Sequence, residues 1–181
     1  MQHEIKELDK AKTTDMHVQP VHEKPAMKRK HSWPSDLHHF LYSRKDKSFE
    51  YGQHDCSLFV ADWIEDQTGI DVAKDYRGRY KTELGAAKLI KGVTGKASVE
   101  AMAEHVFAAH SLPELANVRF ARRGDIVLLD EENGSALGIV HLSGRHGLFV
   151  SDDGLKKVKL SQCRRAWRLG HVGASPVKES K

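Results

Sequence analysis

Apolar residues fall into two textures along this chain. Between about residues 35 and 109 they recur three and four positions apart, and from 126 onward they come in short runs separated by glycine-bearing pairs. The first texture predicts amphipathic helices and the second predicts strands. Leu37, Phe40 and Leu41 form a stripe reaching to about Ser43, with Ser32 or Ser35 as its cap and Pro34 suited to a first helical turn. Leu58, Phe59, Ala61 and Ile64 mark a second helix, which leaves Asp62 and Glu65 to solvent and ends near Thr68-Gly69. Thr82 to Lys91 is a third, carried by Leu84, Ala87, Leu89 and Ile90 and broken by Gly92 and Gly95. Ser98 caps a fourth, which runs to about Ala109 and turns Val99, Met102, Val106 and Phe107 inward. Short β-type runs follow at 126–129, 136–142, 147–150, 156–160 and 164–169, with Asn133-Gly134, Ser143-Gly144 and Asp153-Gly154 as hairpin signals. Helices first and an antiparallel meander after make an α+β fold. Trp63 and Trp167 read as core anchors, the latter on an edge strand among charged neighbours.

The flanks differ from this pattern. Residues 1–31 are polar and mixed in charge, interrupted by Pro20 and Pro25 and closed by Lys28-Arg29-Lys30. They read as a flexible or partner-ordered N-terminal arm. Residues 32–170 form the domain, and 171–181 read as a polar tail. A chain of 181 residues suffices for one such domain with arms.

Charge and composition narrow the function classes. The net charge of +4 is mild, and the late cluster of Lys156, Lys157, Lys159, Arg164, Arg165 and Arg168 reads as a solvated face. A nucleic-acid partner is therefore not expected. No stretch is apolar enough to cross a membrane, and the N-terminus lacks a hydrophobic signal core. Cys56 and Cys163 are far apart and form no CxxC, so neither a disulfide framework nor a zinc site is expected. The 12 histidines are scattered, so no metal and no other cofactor is expected. His38 and His39 point about 100° apart on their helix and form no metal pair.

The chemistry centres on Cys56. It lies at the first turn of a buried helix, where unpaired N–H groups and the helix dipole favour a thiolate. His54 and Asp55 precede it and Ser57 follows. Asp55 is placed to interact with N–H groups of the helix start. Asp125, in a Gly-Asp pair before a strand, is expected to tie down a turn.

His54-Asp-Cys-Ser-Leu-Phe-Val60 resembles the nucleophile motif of the NlpC/P60 cysteine peptidases, papain-like hydrolases of bacterial cell-wall peptides. Arg123-Gly-Asp-Ile-Val-Leu128 and Ala136-Leu-Gly-Ile-Val140 resemble two strands of the same family. The order and spacing of these pieces, with Tyr76-Arg-Gly-Arg-Tyr80, Asp153-Gly-Leu155 and Cys163-Arg-Arg-Ala-Trp167, are most similar to an uncharacterised phage and prophage branch, over residues 35 to 169. The resemblance implies that Cys56 opens the central helix as nucleophile and that the helices pack on an antiparallel sheet. It also implies a histidine at the head of the second of those strands, where this sequence has Ala136. His54 is the nearest replacement in sequence. His141 lies five residues along the strand, an odd offset that points it to the other face unless a bulge intervenes, and His146 lies past the next turn. The candidate site is thus Cys56, His54 and His141 as catalytic residues, with Asp55 and Ser57 on the substrate side.

Two function classes follow. One is a structural component of a phage or prophage virion tail, at its tip or hub, with a degenerate peptidase-like domain and other tail proteins as partners. It would be made in the bacterial cytoplasm without a signal peptide. The alternative is an active cysteine hydrolase that cleaves peptidoglycan peptide bonds during phage entry. The phage-like resemblance, Ala136 and the polar arm favour the first.

Overall fold

A computed structural model of the chain describes residues 27–170. Four helices come first: α1 (Trp33–Tyr42), α2 (Cys56–Thr68), α3 (Glu83–Thr94) and α4 (Val99–Ala109). Five strands follow: β1 (Ile126–Glu131), β2 (Gly134–Val140), β3 (His146–Ser151), β4 (Gly154–Lys159) and β5 (Cys163–Trp167). They form one antiparallel sheet in the order β4-β3-β2-β1-β5. The α+β architecture expected from the sequence is therefore present.

Local chemistry accounts for most boundaries. The Asp55, Thr82 and Ser98 side chains accept from backbone N–H groups at the starts of α2, α3 and α4. Gly69 and Gly95 end α2 and α3 in the left-handed conformation. Gly92 does not break α3 as expected, and the helix continues to Thr94. A helical glycine costs only about 1 kcal/mol relative to alanine, which one further turn of hydrogen bonds offsets. The β1–β2 and β3–β4 turns lie at 132–133 and 152–153, one residue before the expected dipeptides, so Gly134 and Gly154 open strands.

The sheet is buried on both faces, as the unbroken run Ile126-Val-Leu-Leu129 suggests. Ile126, Leu128, Leu137, Ile139 and Leu148 meet the helical layer, whose core is Phe40, Phe59, Trp63, Ile64 and Phe107. Val127, Leu129, Ala136, Val140, Phe149 and Ala166 face the other way and are covered by Val118, Ala121 and Leu160. Strand β5 is an edge, and Trp167 is 2% exposed. The Arg165 guanidinium lies 4.9 Å from the Trp167 ring centroid, on the same face, and bonds to Glu100 and Glu114. Alternation at period two accounts for this sharing, since residues 165 and 167 are two apart.

A buried ionic clasp joins the two ends of the domain. The Asp125 carboxylate, fully buried, accepts from Arg29 Nη2 at 2.7 Å and from the backbone N–H groups of Arg122 at 2.8 Å and Leu169 at 3.2 Å. Arg168 Nε lies 3.0 Å from its second oxygen, close enough for ion pairing but not aligned as a hydrogen bond. Burial raises the Asp125 pKa, and both guanidiniums and the two N–H groups oppose that rise. Arg29 also donates to the Arg123 carbonyl at 2.9 Å, while Trp63 Nε1 donates to the Gly124 carbonyl at 2.8 Å. Asp125 thus ties down a turn, as expected.

The same clasp moves the domain boundary. Residues 27–31 belong to the fold rather than to an arm: Met27 and Arg29 are buried, and Lys30 N–H bonds the Gln67 carbonyl at 3.2 Å. Gly170 has φ +55°, and an added Cβ would lie 2.6 Å from the Met27 carbonyl oxygen. The remaining arm, 1–26, and the expected tail, 171–181, lie outside the described residues.

Removing Asp125 leaves two guanidiniums without their counter-charge. Asp125→Ala is expected to lower the unfolding free energy in urea by about 3–5 kcal/mol. Asp130→Ala, which removes an exposed partner of Arg164, is expected to cost less than about 1 kcal/mol. Equal effects for the two variants would contradict the clasp.

Candidate functional site

Cys56 is the first residue of α2 and follows a tight turn from 50 to 55. Gly52 in that turn has φ +74°, and a Cβ there would sit 1.9 Å from the Tyr80 carbonyl oxygen, so only glycine lets the two segments meet. Asp55 caps the helix. Its Oδ1 accepts from Ser57 N at 3.0 Å and Leu58 N at 2.9 Å, and its Oδ2 accepts from Gly52 N at 2.9 Å and the Tyr80 hydroxyl at 2.6 Å. Four donors occupy this carboxylate, so Asp55 builds the wall and is not free to take a substrate group.

The helix start does not activate the thiol. Burial pushes the Cys56 pKa up to about 11, the Leu137 backbone N–H and the Ser57 hydroxyl act against it, and the Asp55 and Glu131 charges add to it. Burial, the largest cause, works against the expected thiolate stabilisation, and the helix cap adds to it. The first free N–H groups of α2 are already taken by the Asp55 cap, whose negative charge lies beside the sulfur.

Cys56 opens onto a cavity of about 760 Å³ between α2, α3, α4 and the β1–β2 hairpin. Ala86, Ala87, Ile90, Met102 and Val106 give it an apolar floor. Tyr51, Tyr76 and Tyr80 stand on the Cys56 side, with Glu83, Glu131 and Asp152 also in its wall. Burial is the largest cause raising the pKa of each of these tyrosines, so their hydroxyls are held as donors. Ser57 lines the same cavity. Ala136, although it belongs to the cluster on the face turned from the helices, edges the cavity because Cys56 packs against that cluster too, and it is next in the chain to the N–H that reaches the sulfur.

Neither expected base reaches this cavity. Among the described residues, no histidine lines it. His54 is 1% exposed, and its ring packs edge-on to Phe59 at 6.0 Å between centroids. Its Nε2 has no hydrogen-bond partner, and the charges acting on it are Lys47, Arg44 and Asp62, with Asp55 the weakest. Adjacency in sequence therefore does not bring His54 to the open side of the thiol: its ring is buried against Phe59 and lines no part of the cavity. His141 lies just beyond β2, roughly 16 Å along an extended strand from position 136. Its Nδ1 accepts from Ser143 N at 3.1 Å, and Ser143 Oγ lies 3.4 Å from His146 Nδ1. These two histidines belong to the β2–β3 turn at the opposite end of the strand. Among the described residues, no group of three or more His, Cys, Asp or Glu is placed to hold a metal.

Sequence reasoning missed Tyr51, Tyr80 and Glu131 as neighbours of the thiol. In the sequence Tyr80 stands out only as the end of the Tyr76-Arg-Gly-Arg-Tyr80 run. Its link to Asp55 spans 25 residues and leaves no periodic trace.

Burial is the main cause holding the His54 pKa below its ordinary value. The unfolded chain therefore binds this proton first as pH falls. The stability His54 contributes is fully present above about 6.5, the unperturbed pKa, and is lost as pH drops from there toward the folded pKa. Urea midpoints at pH 7 and pH 5 should differ more for wild type than for His54→Leu. An unchanged difference would place the acid sensitivity elsewhere.

No curated protein matches this chain. Residues 28–169 match the model of DUF6950, a domain of unknown function, and that span begins within the Met27–Lys30 segment that packs on the domain and takes in every helix and strand described above. The chain therefore belongs to the DUF6950 family.

Proposed function

We propose that this domain is an NlpC/P60-like peptidase scaffold with a degenerate thiol site, carried by a component of a phage or prophage virion tail. One observation carries the reading. A cysteine opens the central helix beside the second strand, and the strand position where the resembled family has its histidine is Ala136, in the wall of the same cavity. Cysteine hydrolysis needs a base that takes the thiol proton and later returns it to the leaving group. A thiol with a pKa pushed up to about 11 and faced by tyrosines and carboxylates lacks that partner. The cavity is then a binding cleft, with a protonated Cys56 as part of its wall. The tail setting and the tail-protein partners rest on the resemblance alone. Detection of the chain in purified particles from the source strain tests them, and its absence there would remove them.

A second reading, an active hydrolase of peptidoglycan peptides, is favoured by one feature. Cys56 opens onto a cleft large enough for a peptide segment. Release of peptides from purified peptidoglycan by wild type, lost in Cys56→Ser, would establish it against the first reading.

The protonation state of Cys56 is measured by iodoacetamide alkylation across pH, with Cys56→Ser as the blank for Cys163. The rate is expected to be low at neutral pH and to keep rising beyond about 8.5, the ordinary thiol value. A plateau below that value would overturn the degenerate site.

Ala136→His returns an imidazole to the wall. It is expected to raise the alkylation rate at pH 7 by about tenfold or more, since an adjacent imidazolium favours the thiolate. Unchanged alkylation in a folded Ala136→His protein would mean that position 136 is not the base position, and the scaffold assignment would fall.

A further inference from the structure

The end of the sheet remote from Cys56 carries a second cavity, of about 710 Å³. Four of its lining residues are arginines, Arg29, Arg122, Arg123 and Arg168, against a single carboxylate, Asp125. Asp125 lies at the back, fully buried, and its charge is shared between Arg29 and Arg168. Counting whole charges on these five residues, four positive and one negative, leaves an excess of three positive charges around one concavity. The Arg122 and Arg123 side chains are exposed and form no ion pair or hydrogen bond with another described residue. Arg29 is 8% exposed, and its Nε has no hydrogen-bond partner. Trp33 closes one side, with the Arg29 and Arg123 guanidiniums 5.2 Å and 5.5 Å from its ring.

Like charges held together in this way repel unless an anion joins them. Burial and the neighbouring Arg168 already press the Arg29 guanidinium below its ordinary pKa. The clasp engages Arg29 and Arg168, and Arg168 also donates to the Phe120 carbonyl at 2.7 Å, so structural pairing leaves Arg122 and Arg123 unaccounted for. We propose that this cavity is an anion site for a phosphate group on a compact ligand, distinct from the Cys56 cleft. A phosphate carries between one and two charges and three acceptor oxygens, which several guanidiniums can share bidentately. A single carboxylate has one charge and two oxygens and matches the excess poorly. The arginines converge on one hollow rather than lining a track, which fits a compact phosphorylated ligand better than a nucleic-acid strand. Trp33, with the Arg29 and Arg123 guanidiniums over its ring, holds these two charges at the rim of the hollow.

Inorganic pyrophosphate added to the full chain tests this. Trp33 is half-buried in the cavity wall, whereas Trp63 and Trp167 are buried in the core, so intrinsic fluorescence reports the site. A saturable change is expected with pyrophosphate, absent in Trp33→Phe and not produced by sodium acetate at matched ionic strength. The exposed pair Arg122→Gln/Arg123→Gln is expected to weaken the apparent affinity by about tenfold or more, since each lost charge-assisted contact is among the stronger hydrogen bonds. Cys56→Ser should bind as wild type does, which separates this site from the thiol cleft. A rise in the wild-type melting temperature with pyrophosphate gives a second readout that needs no variant. The proposal is overturned if pyrophosphate changes nothing beyond acetate, or if the arginine pair binds like wild type. It is also overturned if a single-stranded oligonucleotide binds and pyrophosphate fails to displace it.

Discussion

The buried carboxylate of Asp125 is the constraint on which the rest of this domain depends. It lies immediately before strand β1, and it draws to one point the residues that enter the domain and those that leave it. Two guanidiniums and two backbone N–H groups meet it where water is excluded. A charge so placed is tolerated only while every partner stays. The register of β1 against β2 and β5, and the seat of Trp63 on Gly124, follow from where this residue is held.

A second carboxylate governs the other end of the sheet in a different way. Asp55 spends all of its acceptor capacity on the helix cap and the Tyr80 hydroxyl. Capping α2 and stabilising a thiolate at its first residue compete for the same N–H groups, and here the cap wins. The two carboxylates therefore separate the molecule into a thiol cleft that is acidic at its wall and a hollow that is basic, with the length of β2 between them.

Much of this was legible in the sequence because it is local. Ser98, Thr82 and Asp55 announce helix starts, Gly69 and Gly95 announce stops, and the glycine pairs place the hairpins within one residue. The α+β order follows from the change in hydrophobic texture. What the sequence concealed is what depends on distant partners. Arg29 sits in a Lys-Arg-Lys cluster that reads as a solvated arm, yet its partner is 96 residues away. His54 precedes Cys56 by two positions, yet its ring is buried against Phe59. Ala136, where the resemblance implies a histidine at the head of the strand, does line the Cys56 cavity, although its small side chain gives no hint of that placement.

The close approach of Gly170 to Met27 has a mechanical consequence. Entry and exit of the domain lie side by side, so it hangs from whatever it is attached to at one point rather than bridging two. Tension applied through both flanking segments would bear first on the Arg29–Asp125–Arg168 contact and reach the strands only after it parts. A unit joined in this way can be spliced into a larger assembly without changing the spacing on either side of it.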